Sequence, residues 1–303
     1  MRIVITGSTG MLGRALRERL GSAHTLIGVA RHVTADPTTA RHLACDLSDP
    51  ASAALISAER PDAIIHAAAM SNVDECERHP DDARRGNADA AATAATAAAQ
   101  SGAYLVAIST DYVFDGEQGR PYTEEDAPHP MSAYGRSKQE GEARVRRLAR
   151  RWVILRTSTL YGPGRAAFVD GIAERAARGE TIPAFQDQTT SPTYTRDLAD
   201  AIARLLERLN VTTPSAEPAG VFHVTNQGSC TREEFARYVL SVLGYPTTLI
   251  QPVAMRSAAL PAPRPRLSAM DNRRWHQEFG WQLRPWPEAV RDYLTWKRQH
   301  STR

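Results

Sequence analysis

Tyr134 and Lys138 stand four residues apart in Tyr134-Gly135-Arg136-Ser137-Lys138. Four residues advance a helix by little more than one turn, so a helix here puts both side chains on one face. A phenol with an ordinary pKa of about 10 is a poor proton donor at neutral pH, and a neighbouring ammonium would lower that value. Tyr134 is therefore a candidate general acid and Lys138 the group that tunes it. Thr110, in Ser109-Thr110-Asp111-Tyr112, ends an apolar run and places a hydroxyl where it could hydrogen-bond a carbonyl oxygen as charge develops on it.

A third feature gives this pair its weight. The chain begins with an apolar run that leads straight into Gly7-Ser8-Thr9-Gly10-Met11-Leu12-Gly13 and then a helix-like segment. In such a strand-to-helix turn one glycine makes the tight turn, another lets the backbone approach a pyrophosphate, and a third packs helix on strand. The unpaired N–H groups at the helix start then hold the phosphates. A dinucleotide site follows, with Gly7, Gly10, Met11, Leu12 and Gly13 as its first contacts. Roughly twenty residues on, a carboxylate would select NAD and an arginine NADP. The chain has Ala30-Arg31-His32 there, so NADPH is expected, with NADH as the lesser option. Asp46 and Leu47 are placed to meet the adenine, and Ala67, Ala68 and Ala69 are small enough for a cofactor to lie across them.

These groups need a scaffold. β-Branched runs at 2–6, 25–30, 42–45, 63–66, 104–109 and 152–157 alternate with helix-like stretches at 11–20, 51–59, 82–100 and 134–151. Strands apolar on both faces, in alternation with helices, predict an α/β fold: a doubly wound parallel sheet of the Rossmann kind covered on both sides. Residues 88–99 hold nine alanines in twelve positions, which predicts a helix packed closely against its neighbours. After residue 158 prolines and glycines interrupt the alternation, although helices remain readable at 196–209, 232–243 and 287–297. Residues 1–158 are thus the expected dinucleotide-binding domain. Residues 159–303 are mainly a smaller substrate lobe, with segments such as 221–225 returning to the sheet.

Composition narrows the possibilities further. With 303 residues, 37 Lys+Arg against 34 Asp+Glu and a net charge of +3, the chain is an ordinary globular one with no compositional sign of a nucleic-acid or membrane partner. Three cysteines, far apart and without paired spacing, give neither a disulfide framework nor a zinc site, and no metal is expected. No leader or spanning segment is readable, so a cytoplasmic protein is expected. Five arginines at 144–151 are read as the solvated continuation of the Tyr134 helix.

Taken together, these segments resemble the extended short-chain dehydrogenase/reductases, and within them the dTDP-4-dehydrorhamnose reductases. The resemblance rests on GSTGMLG at 7–13, HAAAMSNVDECE at 66–77, STDYVFDG at 109–116, YGRSKQEGE at 134–142, DQTTSPTYTRDLA at 187–199 and RPRLSAMDN at 264–272. It implies Thr110, Tyr134 and Lys138 as the catalytic set, with Lys138 also holding the nicotinamide ribose. It implies that Thr110, Asp111 and Tyr112 face a sugar. Asp187 and Gln188 would reach the substrate from the second lobe, and Arg264 would pair with its diphosphate. The implied reaction is hydride transfer from NADPH to the C4 ketone of a nucleoside-diphosphate 4-keto-6-deoxysugar, and a homodimer is one assembly open to the chain, whose oligomeric state is not readable from the sequence.

Two departures bear on the sugar. Where the family commonly reads RTSWVY, this chain has Arg156-Thr157-Ser158-Thr159-Leu160-Tyr161, and the loop at 162–168 carries two alanines in place of polar side chains. Asp111 is followed by Tyr112 rather than by a second carboxylate, which disfavours a dehydratase. An epimerase of the same superfamily is one alternative. Another is a non-catalytic cofactor-binding subunit resembling the regulatory subunit of methionine adenosyltransferase.

Overall fold

The computed structural model describes residues 1–32, 38–209 and 217–300. Six strands arise in the first half: β1 Arg2–Thr6, β2 Thr25–Ala30, β3 Arg41–Ala44, β4 Ala63–His66, β5 Tyr104–Thr110 and β6 Trp152–Thr157. They form one parallel sheet in the order β6-β5-β4-β1-β2-β3, and the strand Gly220–His223 adds to β6 as the seventh. The order reverses beside β1, which opens a crevice beyond the carboxyl ends of β1 and β4, where doubly wound sheets bind ligands.

Alternation along each strand explains why both faces are apolar. Ile3 and Ile5 of β1 join Val106, Leu155 and Phe222 in one core cluster, together with Leu12 and Leu16 of helix α1 (Met11–Leu20) and Ile202 and Leu205 of the helix Thr195–Leu209. Val4, Ile64, Leu105 and Ile154 face the other way, onto Ile56 of α2 (Ser52–Ala58), the alanines of a longer helix and Val145.

That longer helix differs from the single span expected at 82–100. After α3 (Val73–Arg78), Pro80 starts a short α4 (Pro80–Ala83), a π-turn covers Arg84–Asp89, and only then does α5 (Ala90–Ser101) run. The cause lies at Asn87. Its side-chain oxygen accepts the Met70 N–H at 2.8 Å, and its nitrogen donates to the Met70 carbonyl and to Ser137 Oγ. Those ties hold the wide turn in place, as a π-bulge at a functional site commonly is. The alanines of α5 let α6 (Ala133–Leu148) lie close: a Cβ on Gly141 would stand 3.3 Å from the Ala91 Cβ.

α6 ends earlier than the expected residue 151. Ala149 is extended, and Arg151 turns the chain into β6, where it donates to the Gly102 carbonyl at 2.8 Å and pairs with Glu217. The arginine run is also not a bare solvated face, since Arg144 pairs with Glu140 and Asp89, and Arg146 with Glu142.

Beyond β6 a third cluster forms around Tyr161, Tyr194, Phe235 and Tyr293, drawing on the helices Phe168–Ala177, Arg232–Leu243 and Trp286–His300. Among the described residues no helix is long and apolar enough to cross a membrane.

Candidate active site

β5 delivers Thr110 to the carboxyl edge of the sheet, and a short 3-10 turn, Asp111–Val113, follows at once. Ser132 caps α6 by accepting the Gly135 N–H at 3.2 Å, which sets Tyr134 in the first turn. Gly135 itself is required there. A Cβ on it would stand 2.2 Å from the Tyr112 carbonyl oxygen, so only glycine lets the helix descend onto the segment after β5. The descent brings the Tyr134 and Tyr112 rings edge to face at 5.7 Å and the Tyr134 hydroxyl to Thr110.

Thr110 Oγ1 accepts the Tyr112 N–H at 3.2 Å and donates to Asp111 Oδ1 at 3.0 Å. An entering carbonyl oxygen competes with that carboxylate for the threonine proton. Asp111 does not face a ligand space, as the resemblance implied; it is 1% exposed, and its other oxygen accepts Ser158 Oγ at 2.6 Å and Ser268 Oγ at 2.5 Å. Burial raises its pKa, against the three hydroxyl donors that lower it. Asp111 thus ties β5, the end of β6 and the segment around residue 268 behind Thr110.

Lys138 is buried and donates from Nζ to the Ile108 carbonyl at 2.7 Å, which fixes it beside β5. Burial lowers its pKa to about 8, opposed by the charge of Glu142. The expected lowering of the Tyr134 phenol does not follow: burial drives it up, the Thr110 hydrogen bond lowers it, and Asp111, Cys76 and Tyr112 raise it further. Desolvation outweighs any nearby cation, so the phenol keeps its proton throughout the neutral range. That suits a proton donor.

The glycine turn fits a dinucleotide. Gly7 has φ +66°, and a Cβ there would stand 2.7 Å from Ala68 N; a Cβ on Gly13 would stand 2.2 Å from the Gly7 carbonyl. Gly10 is different, because its Cβ would meet only that carbonyl at 3.2 Å and otherwise open space. It caps α1 without any side chain, which leaves the N–H groups of Met11 and Leu12 directed at that space. Ala67 and Ala68 are half-buried and Ala69 exposed at the adjoining edge of β4. Arg31, exposed just past β2, and Asp46 lie near enough for the arginine to help lower the Asp46 carboxyl, after the larger effect of the Ser48 N–H. Leu47 is buried beside them.

The remaining predicted residues gather on a second wall. Asp187 and Arg264 line a cavity of about 620 Å³ together with Arg256 and Arg266. Asp187 Oδ1 accepts the Met255 N–H at 2.8 Å, and Arg264 pairs with Asp74 of α3 rather than standing open to an anion. Gln188 is buried, accepts Arg232 Nε at 3.4 Å and faces the Tyr112 hydroxyl.

Sequence reasoning did not single out Ser109, Glu142 and Arg156. Glu142 Oε1 accepts Ser109 Oγ at 2.7 Å and Arg156 Nε at 2.8 Å, and Oε2 accepts Arg156 Nη2 at 2.8 Å. A signal was present: Glu142 lies two turns beyond Tyr134, on the face that Tyr134 and Lys138 share.

The chain is similar to known proteins along nearly its whole length. Residues 1–298 match the family described as RmlD substrate binding domain. A dTDP-4-dehydrorhamnose reductase of Streptomyces griseus is 36% identical over 294 residues, covering 95% of this chain and 91% of that protein. A probable dTDP-4,6-dihydroxy-2-methyloxan-3-one 4-ketoreductase of Streptomyces antibioticus is 35% identical over 294 residues, covering 96% and 94%. Among solved structures, the dTDP-4-dehydrorhamnose reductase of Bacillus anthracis in complex with NADP superposes with a TM-score of 0.87 at 31% identity, covering 97% of this chain and 98% of that one.

Proposed function

The chain belongs to the RmlD substrate-binding domain family, and on that premise we propose that it uses NADPH to reduce the C4 ketone of a nucleoside-diphosphate 4-keto-6-deoxysugar. The contact of Thr110 with a Tyr134 phenol that stays protonated, one helical turn from Lys138, carries this reading. When bound, the dinucleotide supplies the hydride that forms the new C–H bond. The electron pair released onto the C4 oxygen takes the phenolic proton of Tyr134, and Thr110 orients that oxygen. Lys138 holds the nicotinamide ribose beside β5 and compensates the charge left on Tyr134.

Gly7, Gly10, Met11, Leu12 and Gly13 cradle the pyrophosphate, Arg31 takes the 2′-phosphate, and Asp46, Leu47 and Ala67 to Ala69 flank the rest. Residues 1–158 serve the cofactor. The residues after 158 serve mainly the sugar nucleotide, with Tyr112, Asp187, Gln188 and Arg264 toward it and Asp111 acting behind Thr110. Both ligands are multiply charged and cross no bilayer unaided, which supports a cytoplasmic enzyme.

The test follows NADPH absorbance with a series of dTDP-4-keto-6-deoxysugars, with NADH in parallel and Tyr134→Phe as control. We expect oxidation with at least one sugar, faster with NADPH, and a loss of about 10²- to 10⁴-fold in Tyr134→Phe. No oxidation with any of them would overturn the proposal.

A further inference from the structure

Tyr134, Lys138 and Glu142 follow one another at four-residue intervals along α6, so all three point at β5. Two consecutive residues of β5 are tied to this face just before Thr110. Lys138 takes the Ile108 carbonyl at 2.7 Å, and Glu142 takes the Ser109 hydroxyl at 2.7 Å. Glu142 also binds the third partner, β6, accepting from Arg156 Nε and Nη2 at 2.8 Å each, while the Arg156 guanidinium stacks 5.1 Å from the Phe114 ring centre. Both members of the pair are 2% exposed. A buried ion pair is weak evidence for stability, since two apolar side chains often do as well. Its place, one turn from Lys138 and beside the residue before Thr110, suggests a different purpose.

We propose that Glu142 is a positioning residue for the catalytic pair, acting through its contacts with Ser109 and Arg156 and through its charge on Lys138. The groups around Lys138 leave that task to Glu142. His66 on β4 is buried with its pKa brought down to about 3, and is therefore neutral. Asn87 of the π-turn and Ser109 line the same small space and carry no charge. Arg156 on β6 is bound to Glu142, and Tyr134 keeps its proton. Asp111 is turned toward Ser158 and Ser268, and Cys76 of α3 faces Tyr134 with its thiol pushed up to about 11. Glu142 is the charge that offsets the burial of Lys138.

The inference rests on the reading of this site as a cofactor-dependent reductase, and its test separates the two. Glu142→Gln keeps the shape and the acceptor oxygen and removes the charge. The Kd for NADPH is measured by fluorescence from pH 6 to 9.5 in wild type and variant, and kcat is measured over the same range. Wild type is expected to lose NADPH affinity and kcat as pH rises through about 8, the value to which burial lowers the Lys138 ammonium. In Glu142→Gln both midpoints are expected about one pH unit or more lower, with values at pH 6 close to wild type. An unmoved midpoint, or an equal loss at every pH, overturns the proposal. Should Glu142→Gln fail to fold, Glu142→Gln/Arg156→Met removes both buried charges, and its midpoints are expected to move in the same direction by less, because loss of the Arg156 cation partly offsets loss of the carboxylate. A shifted NADPH midpoint in a protein that reduces no sugar leaves the role of Glu142 standing and rejects the substrate.

Discussion

The Arg264 guanidinium lies 2.8 Å from the Asp74 carboxylate, joining side chains 190 positions apart. The other Asp74 oxygen accepts the Ala262 N–H at 3.2 Å, so the segment that walls the arginine-lined cavity is pinned at two points to α3. Arg264 is the leading cause of the lowered Asp74 pKa. Arg264→Ala is therefore expected to raise the KM for the nucleotide sugar about tenfold or more while leaving the KM for NADPH within about twofold. Asp74→Asn, which reaches the cavity through Arg264 and Ala262, is expected to show the same pattern in weaker form. Steady-state kinetics with each substrate varied separately decides; equal rises in both KM values contradict the expectation.

Gly10 and Gly13 sit in the same turn but answer to different forces. A Cβ on Gly13 would stand 2.2 Å from the Gly7 carbonyl and 2.7 Å from the Ser8 Cα, a backbone clash that only a displaced α1 relieves. Gly13→Ala is expected to cost about 3 kcal/mol or more. Gly10 is extended at φ −75°, and its Cβ would enter the exposed space before α1. Gly10→Ala is expected to leave stability within about 1 kcal/mol and to raise the Kd for NADPH about tenfold or more, because the methyl group occupies the phosphate approach. Urea unfolding and NADPH titration of the two variants test the split.

What was legible in the sequence followed from periodicity. β1, β2, β4 and β6 stand where the apolar runs placed them, because strands buried on both faces leave an uninterrupted signal. The π-turn at Arg84–Asp89 left none, since it depends on Asn87 reaching Met70 and Ser137 across the fold. Thr110, Tyr134 and Lys138 were readable as types at a spacing, whereas the electrostatics were not. A chain of letters shows that a lysine lies near a tyrosine but not how deeply both are buried, and burial set the direction for each. Asp111 failed for the same reason: its place beside Thr110 suggested a ligand contact, but Ser158 and Ser268, distant in sequence, occupy it.

His66 and His223 are expected to weaken the fold as pH falls. Each is buried with its pKa brought down to about 3 by desolvation, and each keeps a ring Nε2 without a hydrogen-bond partner among the described residues. Below the model-peptide value of 6.5 the unfolded chain binds protons at these sites and the folded chain does not. Their contribution is thus complete above about pH 6.5 and is lost progressively toward pH 3, at up to about 1.4 kcal/mol per pH unit for each ring. Urea unfolding at pH 7, 6 and 5 is expected to show that decline. His66→Gln/His223→Gln is expected to be less stable at pH 7 and flatter with pH; a slope equal to wild type contradicts the assignment.

Among the described residues, Thr159 carries the strained backbone that follows β6 beside the site. Its φ of +44° lies in the left-handed region that a β-branched residue rarely adopts. Its neighbours impose this conformation. Ser158 before it is held by Asp111, and the Thr159 carbonyl accepts the Thr193 N–H at 3.2 Å, at the start of the pairing of Leu160–Tyr161 with Thr193–Tyr194. Holding a non-glycine residue there costs about 1 to 3 kcal/mol. Glycine removes that strain and loses part of the gain, about 0.5 to 1 kcal/mol, to the greater freedom of the unfolded chain. Thr159→Gly is therefore expected to raise Tm by a few degrees while kcat changes little, because the hydroxyl makes only a 3.4 Å contact with Ser158 Oγ. A lower Tm would mean that the threonine side chain contributes more to this corner than its backbone costs.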